Sequence, residues 1–101
     1  MPKLYEYFGI TIMFYSNEHE PVHVHGKFQG FESRAEIFMI NGVVAEIRYT
    51  EVAGRAPLPG PQARFFQEIV QVKAADIVNK WVDYFVFNKS FQAECIMQRV
   101  K

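Results

Sequence analysis

The sequence predicts a single α+β domain in which an antiparallel sheet of about four to five strands has one long helix, or two shorter helices, packed on one face. In the first half of the chain, hydrophobic and polar residues alternate as in strands, whereas between residues 61 and 85 hydrophobic residues recur at spacings of three and four, as in helices. The connector AGRAPLPGP, residues 53–61, separates the two patterns. Because the chain has 101 residues, a typical length for one domain, we assign residues 1–101 to it.

Four segments of the first half have the composition and alternation of strands, and turn-forming residues bound them. They are residues 8–15, 22–28, 33–40 and 43–49. The last two flank Asn41-Gly42, a pair typical of tight hairpin turns. These segments predict a sheet whose strands are neighbours in sequence.

The register of this hairpin follows from the side chains that it would pair. A two-residue loop would set Ile37 opposite Glu46, which mixes apolar and polar side chains on both faces. A three-residue loop, residues 40–42, sets Ile37 opposite Ala45 and leaves one face wholly apolar. Because a slip of one residue moves every side chain to the other face, we expect the three-residue loop, with its glycine left-handed in a bulge.

Residues 61–85 are predicted to be helical. Pro61 suits the first turn of a helix, and Trp81 lies on the apolar face, where we expect it in the core. The segment is longer than most globular helices, so one long helix and two helices joined near Val72-Lys73 both remain open. The apolar positions are Phe66, Ile69, Val70, Ile77, Trp81, Tyr84 and Phe85.

The tail, FQAECIMQRVK, alternates in a way that predicts a closing strand. Phe91, Ala93, Cys95 and Met97 share one parity and would face the core, while Ile96 interrupts the pattern. We therefore expect Cys95 to be a buried core thiol.

Composition narrows the functional classes. Eleven basic residues balance eleven acidic ones, whereas proteins that coat nucleic acid carry a basic excess. The only cysteine, Cys95, cannot form an intramolecular disulfide, and no signal peptide or membrane span is recognisable. These features predict a cytoplasmic protein that binds no membrane. Aromatic residues make up 16% of the chain, which favours an interaction surface.

All three histidines of the chain lie in NEHEPVHVHGK, residues 17–27. If residues 22–28 form a strand, its side chains alternate between two faces. We expect the valines of this strand to face the core and the polar parity to lie on an exposed outer face. His19 belongs to the turn before the strand. The candidate binding residues are therefore His19, His23, His25 and Lys27.

Three hypotheses account for this cluster. His23 and His25, two residues apart on a strand, could bind a transition metal such as zinc, with His19 or a carboxylate as a third ligand. The same pair could be the acid and base of a small ribonuclease-like toxin. The cations for such a reaction would come from Lys27, Arg34, Arg48 or Arg55. The third hypothesis, which we favour, is that the histidines pack or complete a protein interface.

The run FGITIMFYSNEHEPVHVHGKFQGFESRAEI resembles the opening of a small bacterial domain-of-unknown-function family, number 4160. Members begin with an F/Y-G-I strand, followed by D/N-x-H-x-P-x-H-x-H and a short G-Y/F-E/K approach to a hairpin. The later segment KWVDYFVFNKSFQAECIMQRV is similar to the family's helix and closing strand. The matching residues are Gly9, Asn17, His19, Pro21, His23, His25, Gly30 and Phe31.

The resemblance implies a small stand-alone cytoplasmic protein, often encoded beside another small protein, as in a toxin–antitoxin-like pair. It carries no settled activity and no role for His19, His23 or His25. Together with the aromatic content, it predicts a protein-binding or dimerising module whose partner is a second copy or another small protein. The metal-binding and ribonuclease-like hypotheses are the alternatives.

Overall fold

The computed structural model describes residues 2–15 and 21–101, which form one six-stranded sheet and one long helix. The strand order across the sheet is β5-β4-β3-β2-β1-β6. The α+β class is confirmed, and the helical segment is one continuous helix rather than two. The elements are β1 (Lys3–Tyr7), β2 (Ile10–Met13), β3 (Val22–Phe28), β4 (Phe31–Ile40), β5 (Val43–Glu51), α1 (Gly60–Phe85) and β6 (Glu94–Ile96).

The sheet has more strands than expected and is mixed rather than purely antiparallel. The additional strand is β1, which pairs antiparallel with β2 and parallel with β6. Its alternation is hidden because a register irregularity lies between Lys3 and Tyr5, so that the consecutive residues Leu4 and Tyr5 are both buried. A pattern of period two cannot reveal a strand at such a position.

Helix α1 packs along one face of the sheet, and its buried residues form the core together with the buried side chains of the strands. Tyr5 and Tyr7 of β1 reach across this core, where their hydroxyls donate hydrogen bonds to Asp76 and Glu68 of the helix. Trp81 is buried, as expected, and contacts Phe14 edge to face. The buried helix residues are Phe66, Ile69, Val70, Ala74, Ile77 and Trp81.

The expected register of the β4–β5 hairpin is wrong. Ile40 pairs with Val43, so the loop has two residues, and both Asn41 and Gly42 have positive φ angles, 53° and 81°. The pairing then shifts by one residue beyond Met39, which leaves Ala45 without a partner on β4. This bulge sets Ile37 opposite Ile47, so it restores the apolar face that a regular two-residue hairpin would lose.

The closing strand exists, but its expected parity is wrong. Parallel pairing with β1 sets Cys95 opposite Glu6 and Ile96 opposite Tyr7. Glu6 is exposed and Tyr7 is buried, so Ile96 packs against the core and Cys95 is an exposed thiol. The residue that interrupts the alternation in the sequence is therefore the one that anchors the strand.

Candidate functional site

The two histidines of β3 are buried, contrary to the expected exposed outer face. His23 is 5% exposed and His25 is 4% exposed. Strand β3 lies in the interior of the sheet between β2 and β4, and aromatic rings contact both imidazoles. The ring of Tyr15 lies 4.1 Å from that of His25, and the ring of Trp81 lies 5.5 Å from that of His23, centroid to centroid.

Glu32 holds His25 from the neighbouring strand. The register sets Glu32 opposite Lys27 and therefore diagonal to His25. His25 Nδ1 lies 3.0 Å from Glu32 Oε2, the same oxygen to which the Tyr15 hydroxyl donates a hydrogen bond of 2.5 Å. Glu32 is only 1% exposed. A buried carboxylate needs such partners, because burial without them is very costly.

Arg55 adds a cation to this cluster. Its Nε lies 3.5 Å from Glu32 Oε1, and its side chain is 47% exposed. The connector is held here by two hydrogen bonds, from the Glu32 amide to the Ala56 carbonyl and from the Leu58 amide to the Ser33 hydroxyl. The loop arginine therefore reaches the carboxylate because its segment is fixed beside β4.

The hydrogen bonds also assign the tautomers of the histidines. His23 Nδ1 lies 2.7 Å from the carbonyl oxygen of Pro21. Carbonyl and carboxylate oxygens only accept hydrogen bonds, so Nδ1 is the donor in both His23 and His25. In a neutral imidazole the lone pair is then on Nε2. The two rings lie side by side, with centroids 5.4 Å apart.

The other expected site residues lie at different distances from the two histidines. Lys27 Nζ lies 5.9 Å above the Tyr15 ring, at the margin of the cluster. Arg34 lies opposite His25 in the β3–β4 register, and its guanidinium contacts Glu36 and Thr50. Arg48 lies on β5 and contacts Glu46. His19 lies outside the described residues.

Tyr15 and Glu32 were not among the sequence candidates. Both occupy positions with the ordinary alternation of a strand or its end, and a buried glutamate has the same sequence pattern as an exposed one. The available signal was the position of Glu32, which follows the turn at Gly30 and so falls next to the histidine strand. Only the register identifies it as the partner of His25.

No group of three or more His, Cys, Asp or Glu side chains able to hold a metal ion occurs among the described residues. His23 and His25 are therefore a pair of potential ligands within this part of the chain. Their arrangement has one feature that ligating histidines share, namely that the Nδ1 proton is bound by an oxygen acceptor.

The outer side of β5 forms the second candidate site, which we call the β5 edge. Strand β5 has nine residues and lies at one end of the sheet, so no described strand pairs with its outer side. Apolar residues at this end of the hairpin are exposed, with Ile40 at 61% and Val43 at 64%. A depression of about 480 Å³ lies between the hairpin and the helix, where its lining includes Met39, Ile47 and Val72.

Charged residues occupy the face of β5 that points away from the helix. Arg48 Nε lies 2.6 Å from Glu46 Oε2, and both side chains are more than half exposed. The hydrogen bond from Arg48 lowers the pKa of the Glu46 carboxyl below its ordinary value, and the same bond raises the pKa of Arg48. Both groups therefore carry full charge at neutral pH.

A six-stranded mixed sheet beneath one long helix, with a buried His–Glu pair on adjacent strands, defines a small α+β domain. The model of DUF4160, a domain of unknown function, matches residues 9–82. This match covers more than half of the chain, which therefore belongs to the DUF4160 family, as the sequence resemblance predicted. Neither a curated protein nor a solved structure matches the chain. Among the described residues, no helix is both long and apolar enough to cross a membrane.

Proposed function

We propose that this protein is a protein-binding module and that it associates through the β5 edge. The observation that supports the proposal is the open nine-residue strand beside exposed apolar side chains. An unpaired strand offers a row of amide and carbonyl groups to another chain, and natural proteins usually protect such edges. Addition of a strand to an open edge is a common mode of protein recognition.

The two edges of this sheet differ in a way that favours β5. Strand β6 has three residues and ends the sheet with little backbone to pair. Strand β5 is three times as long, and Ile40 and Val43 extend its apolar surface to the hairpin tip. Short edge strands are one of the devices that prevent unwanted pairing, and β5 lacks this protection.

The buried histidines support a different role from the one expected. Because His23 and His25 are nearly inaccessible, they are poorly suited to contact a protein partner directly. In this proposal they stabilise the sheet that presents β5. The family resemblance is compatible with a small protein partner, as in a toxin–antitoxin-like pair, or with a second copy.

A matched pair of variants tests the proposal. Val43 at the β5 edge and Val86 beyond the helix are 64% and 63% exposed, so Val43→Asp and Val86→Asp introduce the same charge at equal exposure. Tagged wild-type protein is used to isolate associating chains from the native cell, and each identified chain is purified and titrated separately. We expect Val43→Asp to abolish binding and Val86→Asp to retain it. Equal binding by both variants would exclude the β5 edge as the site.

Metal binding is the second candidate function. The hydrogen bonds from Nδ1 of His23 and His25 favour it, since they fix the tautomer whose lone pair is on Nε2, the atom that would bind the metal. His23, His25 and His19 would be the ligands, and zinc fits an all-histidine set. The protein would then contain about one transition metal ion per chain.

Elemental analysis of untagged protein purified without chelator tests this candidate, and cobalt substitution adds a spectroscopic readout. A metal content far below one equivalent, with no change in melting temperature on addition of zinc, would contradict it. His25→Gln is the informative variant because it keeps a hydrogen-bonding side chain near Glu32. The ribonuclease-like alternative uses the same two histidines, and an RNA-cleavage assay of wild type and His25→Gln tests it.

A further inference from the structure

The β5 edge has a charge pattern that is complementary to itself. Glu46 and Arg48 lie on the same face of the strand, one on each side of Ile47. If two copies of β5 pair antiparallel about a two-fold axis at Ile47, Glu46 of each copy lies opposite Arg48 of the other. Opposite charges directly across a strand pair stabilise it, and like charges destabilise it.

Symmetry restricts the other registers. Residues directly opposite each other in an antiparallel pair point to the same face of the sheet, whereas consecutive residues of one strand point to opposite faces. A two-fold axis perpendicular to the sheet must therefore lie midway between a residue and its own copy. An axis at Glu46 or at Arg48 would set like charges directly opposite each other. An axis at Tyr49 would set Ile47 opposite Glu51, and an axis at Ala45 would fall on the bulge. The register centred on Ile47 sets opposite charges beside the axis and keeps the axis off the bulge, and its one apolar–charged pair, Val43 with Glu51, falls at the ends of the strands.

The other face of the strand agrees with this register. Ile47 and Val44 lie on the helix side, where they line the depression with Val72 and Ala75 of α1. A two-fold axis perpendicular to the sheet keeps both helices on the same side of the joined sheet. Val72, which is 46% exposed, and the apolar lining would then lie on the same side of the joined sheet as their copies.

We infer that the partner of the β5 edge is a second copy of this chain, paired through β5 in the register centred on Ile47. This inference rests on the proposed function, because it names the occupant of the same edge. Two six-stranded sheets would then form one continuous sheet. Four charges, two Glu46 and two Arg48, would lie on one face at its centre.

Charge-swap variants test the inference by analytical ultracentrifugation and light scattering from low to high micromolar concentration. Wild type is expected to be a dimer. Glu46→Arg and Arg48→Glu each convert the four central charges to one sign, so each variant should dimerise at least about tenfold more weakly. The double variant Glu46→Arg/Arg48→Glu restores complementarity and should dimerise like wild type.

Mixing the two single variants provides the decisive arm. Each Glu46→Arg chain presents two cations and each Arg48→Glu chain two anions, so the mixture should form a heterodimer at concentrations where either variant alone is mostly monomeric. A mixture that stays monomeric, or single variants that dimerise like wild type, would overturn this register. Both positions are exposed, so both variants are expected to fold as monomers. Circular dichroism melts check this expectation.

Failure of this inference is distinguishable from failure of the proposed function. A monomeric wild type would overturn the second copy as partner. If Val43→Asp then selectively lost a different purified partner, the binding module would stand. If wild type dimerised and neither Val43→Asp nor the charge swaps weakened the dimer, another surface would be responsible and both proposals would be wrong.

Discussion

Strands β3 and β5 lie on either side of β4 in the same sheet, yet their charged and polar side chains meet opposite conditions. On β3, His25 is buried and its hydrogen-bond partner Glu32 is 1% exposed. On β5, Glu46 and Arg48 pair with each other in solvent. A buried polar group must be satisfied within the fold, whereas an exposed pair contributes little to stability and can exchange partners. In the proposed function, β3 therefore contributes stability and β5 contributes association.

The largest loss of unfolding free energy is expected when Glu32, the centre of the buried cluster, is replaced. Glu32→Ala would leave His25 Nδ1 and the Tyr15 hydroxyl without the carboxylate that each contacts. Removing one member of a buried charged network costs about 3–5 kcal/mol. Urea unfolding followed by circular dichroism measures the loss, and Glu36→Ala on the same strand is the control. Equal losses for both variants would show that the cluster is not the source of the stability.

A methyl group at Gly26 tests how tightly the interior strand is packed. A Cβ at this position would lie 2.6 Å from the Phe66 ring, so Gly26→Ala forces the helix or the ring to move. Overpacking of this kind costs about 1–3 kcal/mol. Gly30→Ala is the matched control because a Cβ there meets nothing within 4 Å. Thermal unfolding of the two variants should differ by several degrees, and identical melting temperatures would contradict the packing.

The same kind of change at the edge hairpin should cost less and for a different reason. Gly42 has open space around it but a φ of 81°, so Gly42→Val adds backbone strain without a clash. The left-handed conformation costs a side chain roughly 1–2 kcal/mol. Gly42→Asn should recover much of this loss because asparagine tolerates that conformation. Similar melting temperatures for the Val and Asn variants would be inconsistent with strain at this position.

The stability of the fold should also depend on alkaline pH through Tyr5 on β1, and Tyr49 on β5, whose pKa is likewise raised by burial, should add a further contribution. Burial, with the hydrogen bond to Asp76, raises the pKa of Tyr5 above its ordinary value. The folded chain therefore keeps a proton that the unfolded chain loses above about pH 10. This stability is complete below that pH and declines as the pH rises further. Tyr5→Phe should flatten the decline in a series of unfolding curves, and an unchanged slope would contradict the assignment.

The smallest effect is expected from the edge ion pair. Glu46→Gln removes one charge from a pair that is more than half exposed, so the unfolding free energy of the monomer should change little. Unfolding at a concentration below that of dimer formation measures the monomer alone. A large loss there would show that the pair stabilises the fold and would erase the contrast between β3 and β5.

Much of this architecture could be predicted from the sequence because its strands and helix obey simple periods. Residues 22–28 were predicted as a strand and form β3, and the helix was expected at its observed position. The errors lie where one residue breaks a period. The irregularity beside Tyr5 hid β1, and the bulge at Ala45 changed the hairpin register. Each irregularity depends on how neighbouring strands pack, and the pattern of residues along one strand does not contain this information.

The candidate site was harder to predict than the fold. Alternation separates the two sides of β3, but it does not say what covers each side, so His23 and His25 were expected on an exposed face. The partner of His25 is on another strand, and Glu32 has no distinguishing sequence signal. The sequence also does not reveal the β5 edge, because an edge strand is one that has a neighbouring strand on one side only. The sheet order supplies that information.

The pairing of β1 with β6 has a consequence for how the chain folds. The amide of Val100 donates to the Tyr7 hydroxyl across 93 residues of sequence, which makes this one of the longest loop closures in the molecule. Loop-closure entropy must be overcome before such contacts contribute, so we expect β6 to join the sheet late. On the ribosome, β1 is made long before β6. During that interval β1, rather than the short β6, is the outer strand on that side of the sheet.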